Sequence, residues 1–358
     1  MDHVRGCADN KEFYSVASMK DVAAMAGVSI STVSRVISGN IPVDHGTAER
    51  VKSAISSLDF RPNLLASGLR SKSGKLIGLV VPGLYEPFAS IIGHLEYTTA
   101  QHGYSLVVGN SRSQPALEQR FVDNLIRRHV DGLIFTPVSH ETTVIDRVLD
   151  SEVPVVWFDR VWDDDRILTV RLDNREAGAI AGKHLCEHGH ERIVVVTGPS
   201  NVDLCHDRLE GFVSAVRTKG EDIPHDHVLV GDFSFESGVA AGVSILERNI
   251  DCTAVWAQND LMAIGVLKAF SSHGVNVPGD VSIMGLDGIP LTRMVHPEIT
   301  TVEQPLQEMC EDLFSKILHA ETLVEESDRH RVFRPTLLKG QSVKSVSKHE
   351  GVADIIQN

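Results

Sequence analysis

From residue 76 to residue 287 the chain alternates short β-branched, aliphatic runs with amphipathic stretches. The runs are LIGLVVP, YSLVVGN, GLIFTPV, VPVVWFD, RIVVVTG, HVLVGD, TAVWAQ and VSIMGLD. Strands that are apolar throughout and separated by helical stretches are buried on both faces, which means parallel sheets with helices packed on either side. Eight such units divide more naturally into two doubly wound lobes than into one sheet. The chain first crosses between lobes near Asp173 and Asn174, and later crossings are expected near Glu303 and Gln304 and near Arg331. The expected N-lobe is therefore 76–173 plus 304–330, and the C-lobe 174–303 plus 331–345, followed by a C-terminal tail over 346–358.

Ahead of this α/β body the pattern is helical. Val22, Ala23, Met25, Ala26 and Val28 carry the apolar face of a short helix that Gly27 breaks, and Ser29 opens a second helix whose Val33, Val36 and Ile37 point inward. Two short helices joined by a tight glycine turn form a helix-turn-helix, whose second helix enters the major groove of DNA. Ser18 followed by Asp21 is a capping-box pattern for the first helix. Asp44 caps a third helix with Val51, Ala54, Ile55 and Leu58 inside, ended by Phe60-Arg61-Pro62 because the residue before a proline is pushed out of the α region. The head is expected over 18–59, and residues 60–75 form a short helix and a polar linker, Ser71-Lys72-Ser73-Gly74-Lys75. Residues 1–17 mix both charge signs without an apolar segment and read as a disordered tail rather than a secretory signal.

A net charge of −14 looks unsuited to DNA until it is resolved along the chain. Residues 18–75 carry eight Lys/Arg against four Asp/Glu, whereas residues 76–358 carry 24 against 41. A basic head on an acidic body suits phosphate binding confined to the head. Five scattered cysteines without a C-x-x-C pair argue for reduced thiols in the cytoplasm. No apolar run is long enough to span a membrane.

The order KDVAAMAGVSISTVSRVISG, FRPNLLASGLR, KLIGLVVP, VDGLIF, VPVVWFDR, LDNREAG, RLEGF, GDFSFESG, AQNDLMAIGVLKA, GLDGIP and TTVEQP resembles the LacI/GalR (lactose-repressor) family of bacterial transcription regulators over residues 19–343. The resemblance implies a homodimer on double-stranded, pseudo-palindromic operator DNA. It also implies a body similar to periplasmic sugar-binding proteins, holding a small sugar-like effector between its lobes, with no cofactor. On the same footing, Ile30, Ser31 and Arg35 face base edges, and Ser29, Thr32, Ser34 and Thr47 face phosphates. Arg35 is the strongest base-reading candidate, since a guanidinium bonds guanine O6 and N7 together. Ile30 has only a thymine methyl to contact. In the family, a helix matching residues 63–70 enters the minor groove, with Asn63, Leu69 and Arg70 as its contacts and Leu69 as the wedge that kinks the duplex. Here Ser67-Gly68 stand where relatives carry Arg-Ser, so this helix is expected to be mostly unfolded off DNA.

For the effector, the resemblance points to Phe88, Asp159, Asp173, Arg208, Phe233, Asn259 and Asp287. Carboxylates and an amide bond hydroxyls in pairs, Arg208 is a rigid donor fork, and Phe88 or Phe233 offers a ring face to an apolar ligand face. Asn259 and Asp287 follow apolar runs and so fall at the carboxyl ends of parallel strands, where open α/β sheets bind ligands. Asp173 is equally placed to cap the next helix. Val202 and Leu204 stand where purine-binding relatives place polar residues, so a sugar or sugar acid is expected rather than a purine. His184, His188 and His190 lack an H-E-x-x-H pattern, and no Walker loop, G-x-G-x-x-G or G-x-S-x-G is present, so neither a metal site nor an enzyme is expected. A ligand-free architectural DNA-bending protein and a cytoplasmic sugar-binding or sugar-processing protein remain as alternatives. The first needs no polar cleft, and the second needs no recognition helix.

Overall fold

The structure is a computed structural model and describes residues 17–38, 42–60, 74–137, 142–159, 167–323 and 325–346. It separates into two compact units, Met1–Gly74 and Lys75–Asn358.

The first unit contains α1 (Met19–Ala26), α2 (Ile30–Ser38) and α3 (His45–Ser57). Ser18 and Asp21 form the reciprocal capping box of α1, and Gly27 closes that helix in the left-handed conformation at φ 64°. Asp44 caps α3 by accepting the Thr47 backbone N–H. Val22, Val33 and Val51, one from each helix, are fully buried, and Phe60 closes the same small core. The segment that would form the minor-groove helix, with Asn63, Leu69 and Arg70, lies outside the described residues.

The second unit holds two sheets of six strands each. The first consists of β1 (Leu76–Val81), β2 (Ser105–Asn110), β3 (Gly132–Phe135), β4 (Val155–Phe158), β5 (Leu168–Leu172) and β11 (His330–Phe333), in the order β11-β5-β4-β3-β1-β2, with every pairing parallel. The second consists of β6 (Ile193–Thr197), β7 (Val228–Val230), β8 (Ala254–Ala257), β9 (Ser282–Asp287), β10 (Thr300–Glu303) and β12 (Thr336–Leu338), in the order β12-β10-β9-β8-β6-β7. Here only the edge strand β12 runs antiparallel to its neighbour. Both sheets reverse strand order in the same place, between β1 and β3 and between β6 and β8. Each therefore has a switch point whose crevice opens at the strand carboxyl ends.

Helices α4 (Phe88–Gln101), α5 (Pro115–Arg127), α6 (Thr142–Leu149) and α11 (Leu306–His319) belong to the first lobe. Helices α7 (Asn174–Glu187), α8 (Asp203–Arg217), α9 (Phe235–Glu247) and α10 (Asp260–Ser272) belong to the second. The chain crosses between Leu172 and Asn174 and between Glu303 and Leu306. The last return differs slightly. Residues 330–333 join β5 in the first sheet, so the crossing follows Phe333 instead of preceding Arg331. Hydrogen bonding to the open edge of β5 holds that strand in the first lobe, and Arg334-Pro335 then leads to β12.

Helices α7 and α8 approach closely, and glycine makes this possible. A Cβ on Gly178 of α7 would lie 1.9 Å from the Arg208 carbonyl oxygen, and one on Gly211 of α8 would lie 1.9 Å from that of Arg175. Packing at this distance leaves no room for a side chain at either position. The contact sets the position of Arg208 relative to Asn174.

Candidate functional site

On the head, α2 turns Val33 inward and leaves Ser29, Ile30, Ser31 and Arg35 exposed, with Ile30 41% accessible. Thr32, Ser34 and Thr47 are half-buried. The Ser29 hydroxyl accepts the Thr32 N–H at 3.2 Å and lies 2.7 Å from the Ser31 hydroxyl, so it caps α2 while staying at the surface. Thr47 accepts a hydrogen bond from Arg50 Nη2 at 3.3 Å. A large aliphatic side chain and a guanidinium exposed on a helix whose opposite face is core form a surface suited to a groove.

In the body, a cleft of about 300 Å³ opens where the carboxyl ends of both sheets meet. This volume is at the lower end of the range that accommodates small ligands. Six of the seven expected effector residues line it: Phe88, Asp159, Arg208, Phe233, Asn259 and Asp287. Asp173 does not. Its carboxylate accepts the Glu176 backbone N–H at 2.9 Å and caps α7, because it stands one residue before the first turn.

Strand geometry places the others. Asp159 follows β4 and Asp287 ends β9, while Phe233 lies in the turn between β7 and α9. All three have φ in the left-handed range, 57°, 123° and 70° respectively. Such backbone in non-glycine residues costs of order 1–3 kcal/mol each and gathers at ligand sites. The Phe233 ring occupies the space above Gly198, where a Cβ would lie 2.2 Å from its Cζ, so Gly198 is needed for the ring to reach the cleft.

Arg208 is almost wholly buried and fixed from several sides. Its Nε donates to Asn174 Oδ1 at 2.8 Å, its Nη1 donates to the Gln258 carbonyl at 2.7 Å, and its Nη2 stands 4.0 Å from Asp287 Oδ1. Gln258 is itself locked, accepting the Gly198 N–H and donating to the Cys205 carbonyl. Asn174 Nδ2 reaches Asp159 at 3.4 Å, which links the two lobes at the back of the cleft. Asn259 is occupied at both ends: its Nδ2 donates to the Phe233 carbonyl and its Oδ1 accepts the Met262 N–H. It therefore shapes the Phe233 turn and caps α10.

Burial pushes Asp287 up to about 7; Arg208 and a hydrogen bond from Gln304 act against that shift, and the charges of Asp159 and Glu86 add to it. Asp260, absent from the sequence expectation, lies fully buried behind it. Its carboxylate accepts the Gly288 and Ile289 N–H groups at 2.7 and 2.9 Å and the Thr301 hydroxyl at 2.6 Å, which holds the loop after β9. Burial, with the charge of Asp287, raises its pKa as well.

Among the cleft residues that escaped sequence reasoning, two are buried polar side chains. Thr136 follows β3 and Gln304 follows β10; they are 2% and 6% exposed. Gln304 Nε2 donates to Asp287 Oδ1 at 2.7 Å, but Gln304 Oε1 and Thr136 Oγ1 are buried without a hydrogen-bond partner. Unpaired buried polar atoms are costly, and in a cleft these two stand where a ligand can satisfy them. The position just past a strand's carboxyl end was the available signal for both. The three histidines are used structurally: His190 bonds Thr253 Oγ1 and the Lys344 carbonyl, and His188 bonds the His184 carbonyl. Among the described residues, no group of acids, histidines and cysteines is arranged to hold a metal, and no helix is long and apolar enough to cross a membrane.

Two doubly wound lobes that open a polar cleft at their strand ends, joined in one chain to a helix-turn-helix unit, define a DNA-binding transcriptional regulator with an effector-binding body. The chain belongs to the LacI family of bacterial regulatory proteins. Residues 18–63 match the family described as bacterial regulatory proteins, lacI family, and residues 74–335 match periplasmic binding proteins and sugar binding domain of LacI family. The chain is 34% identical over 303 residues to the HTH-type transcriptional repressor CytR of Escherichia coli (strain K12), covering 84% of this chain and 88% of the relative. Its fold matches the lac repressor dimer bound to operator and the anti-inducer ONPF with a TM-score of 0.81 and 26% identity, over 92% of this chain and 99% of the other. It also matches the transcriptional regulator CelR–cellobiose complex, with a TM-score of 0.67 and 31% identity, over 91% and 100% of the two chains.

Proposed function

We propose that this chain is a non-enzymatic repressor acting in the cytoplasm as a homodimer on a pseudo-palindromic operator. Its operator affinity is set by a hydroxylated, sugar-like effector held in the cleft. The observation that carries this reading is the pair of unpartnered buried atoms, Gln304 Oε1 and Thr136 Oγ1, in a cleft that also presents carboxylates and an arginine. A DNA-bending protein without a ligand has no use for such atoms, and a plain sugar-binding protein has no use for the exposed face of α2. The relatives support repression, operator binding by a dimer and a sugar effector, since CytR is named a repressor, the lac repressor dimer is described bound to operator and CelR in complex with cellobiose.

In this reading Ile30, Ser31 and Arg35 meet bases, and Ser29, Thr32, Ser34 and Thr47 meet phosphates. Phe88 and Phe233 take the apolar faces of the effector. Asp159, Asp287, Arg208 and Gln304 take its polar groups, with Asn259 holding the Phe233 turn. The lobes are joined by three crossing segments, so a ligand touching both biases their relative angle. It changes DNA affinity only by binding the two arrangements with different affinity. A thermal-shift screen against sugars, followed by operator binding with each hit, tests the reading. A hit that stabilises the body and changes operator affinity supports it, and stabilisation without any change in operator affinity refutes gating.

A further inference from the structure

We infer that the cleft rejects anionic effectors and takes a hydroxylated ring compound bearing an amine. The inference rests on the effector reading above and narrows it to a class that excludes sugar acids and sugar phosphates.

Charge comes first. Glu86, Asp159, Asp232 and Asp287 line the cleft against one cation, Arg208, and no lysine or histidine lies among the described lining residues. Asp232 is held ionised by the Ser234 hydroxyl and backbone N–H, which keep its pKa below the ordinary value. Even with Asp287 protonated part of the time, the acids outnumber the cation. An incoming carboxylate or phosphate meets this excess in a partly enclosed space, where charges are poorly screened.

Hydrogen-bonding capacity points the same way. Arg208 is the natural anion receptor, but its Nε–H and one Nη1–H are given to Asn174 and the Gln258 carbonyl, and its Nη2 stands 4.0 Å from Asp287, so its charge already lies beside a carboxylate. The Asn259 amide is occupied at both ends. Gln304 gives one N–H to Asp287 and has a buried acceptor, Oε1, that lacks a partner. This atom is independent of the acid cluster and asks for a donor. Ionised carboxylates accept only, so a ligand that brings donors suits both the acids and Gln304 Oε1. A hydroxyl brings one; an ammonium brings three and a positive charge. Phe88 and Phe233 supply faces for a ring.

Isothermal titration of the full chain with matched compounds tests this. D-glucosamine and D-galactosamine are compared with glucose, galactose, glucuronate and galacturonate. At least one amine-bearing compound is expected to bind at least tenfold more tightly than its anionic counterpart. In Glu86→Gln that ratio is expected to shrink severalfold, while the Ser90 N–H, which Glu86 now accepts, keeps an acceptor. An anionic member that binds as tightly as its amine-bearing counterpart overturns the inference. So does the failure of every amine-bearing compound to bind at millimolar concentration. Failure of the underlying effector reading is distinguishable: a ligand binds the cleft with the expected charge preference, yet operator affinity in the same preparation does not change.

Discussion

Arg208 Nε meets Asn174 Oδ1 at 2.8 Å across the contact between α7 and α8, and neither helix carries a side chain at the crossing. Gly178 and Gly211 bring the two backbones together, and that closeness holds the guanidinium at the wall of the cleft. Asn174 then passes the constraint to Asp159 in the other lobe. A packing decision between two helices thus sets the electrostatics of a binding site.

Gly178→Ala is the direct test of that relationship. The new methyl group would meet backbone, which cannot turn aside as a flexible side chain can. Overpacking of this kind costs about 1–3 kcal/mol. The variant is expected to melt earlier and, because Arg208 shifts with α8, to lose effector affinity beyond what partial unfolding explains. Calorimetry with and without ligand separates the two effects. Unchanged melting would mean that the helices separate freely.

Gln304→Leu removes the donor to Asp287 and the acceptor left for a ligand. Loss of a hydrogen bond to a charged or buried group costs about 1.5–3 kcal/mol, roughly ten- to 150-fold in affinity. Effector affinity measured by titration should fall in that range, with operator binding by the ligand-free protein little changed. Full retention of effector affinity would remove Gln304 from the site.

Asp287 makes the body's stability depend on pH in a definite direction. Its pKa lies at about 7 in the folded chain against 3.8 ordinarily, so between these values the folded state binds more protons than the unfolded state. Its contribution to stability therefore declines as pH rises from about 4 to 7. His184 and His190, which burial lowers from 6.5 to about 4, act in the opposite sense and lose stability as pH falls through that window. Urea midpoints of the wild type and Asp287→Asn at several pH values isolate the carboxylate, since the histidines are common to both. The wild type is expected to lose stability relative to the variant as pH rises. A constant difference would mean that Asp287 titrates at its ordinary value.

On the head, Arg35→Ala is expected to cost about 1–3 kcal/mol on the specific operator and little on random DNA. Fluorescence anisotropy with both sequences measures this. Equal losses on both would make Arg35 a phosphate contact.

How far the sequence carries depends on where each residue sits. Six of the eight apolar strands were legible because burial on both faces leaves a continuous hydrophobic run, and β2 and β7 carry such runs although they are partly exposed edge strands. LTVRL, TTVE, HRVF and TLL were not, because three of them carry a charged residue, namely Arg171, Glu303 and Arg331, and β11 and β12 are edge strands with one side open. In the head, Ser18, Asp21, Gly27 and Asp44 announced the helix ends through local chemistry that needs no tertiary context. For the cleft, Asp159, Asn259 and Asp287 follow recognisable strands, whereas Gln304 follows one that was not recognised. Asp173 shows the limit of this approach: a carboxylate just past a strand is also a helix cap, and only the hydrogen bond to Glu176 decides between the two. That Asn259 is fully engaged, and that Asp260 braces the loop after β9, depends on contacts far apart in the chain.

The central claim is that a ligand in the cleft changes how tightly the same chain holds DNA. The most direct test is the operator dissociation constant of the full-length protein, measured with and without a compound already shown to bind the cleft. The account predicts a change of about five- to 150-fold, the usual range for coupling between two sites, and loss of that change in Gln304→Leu. An operator dissociation constant that stays the same with the cleft saturated would contradict it.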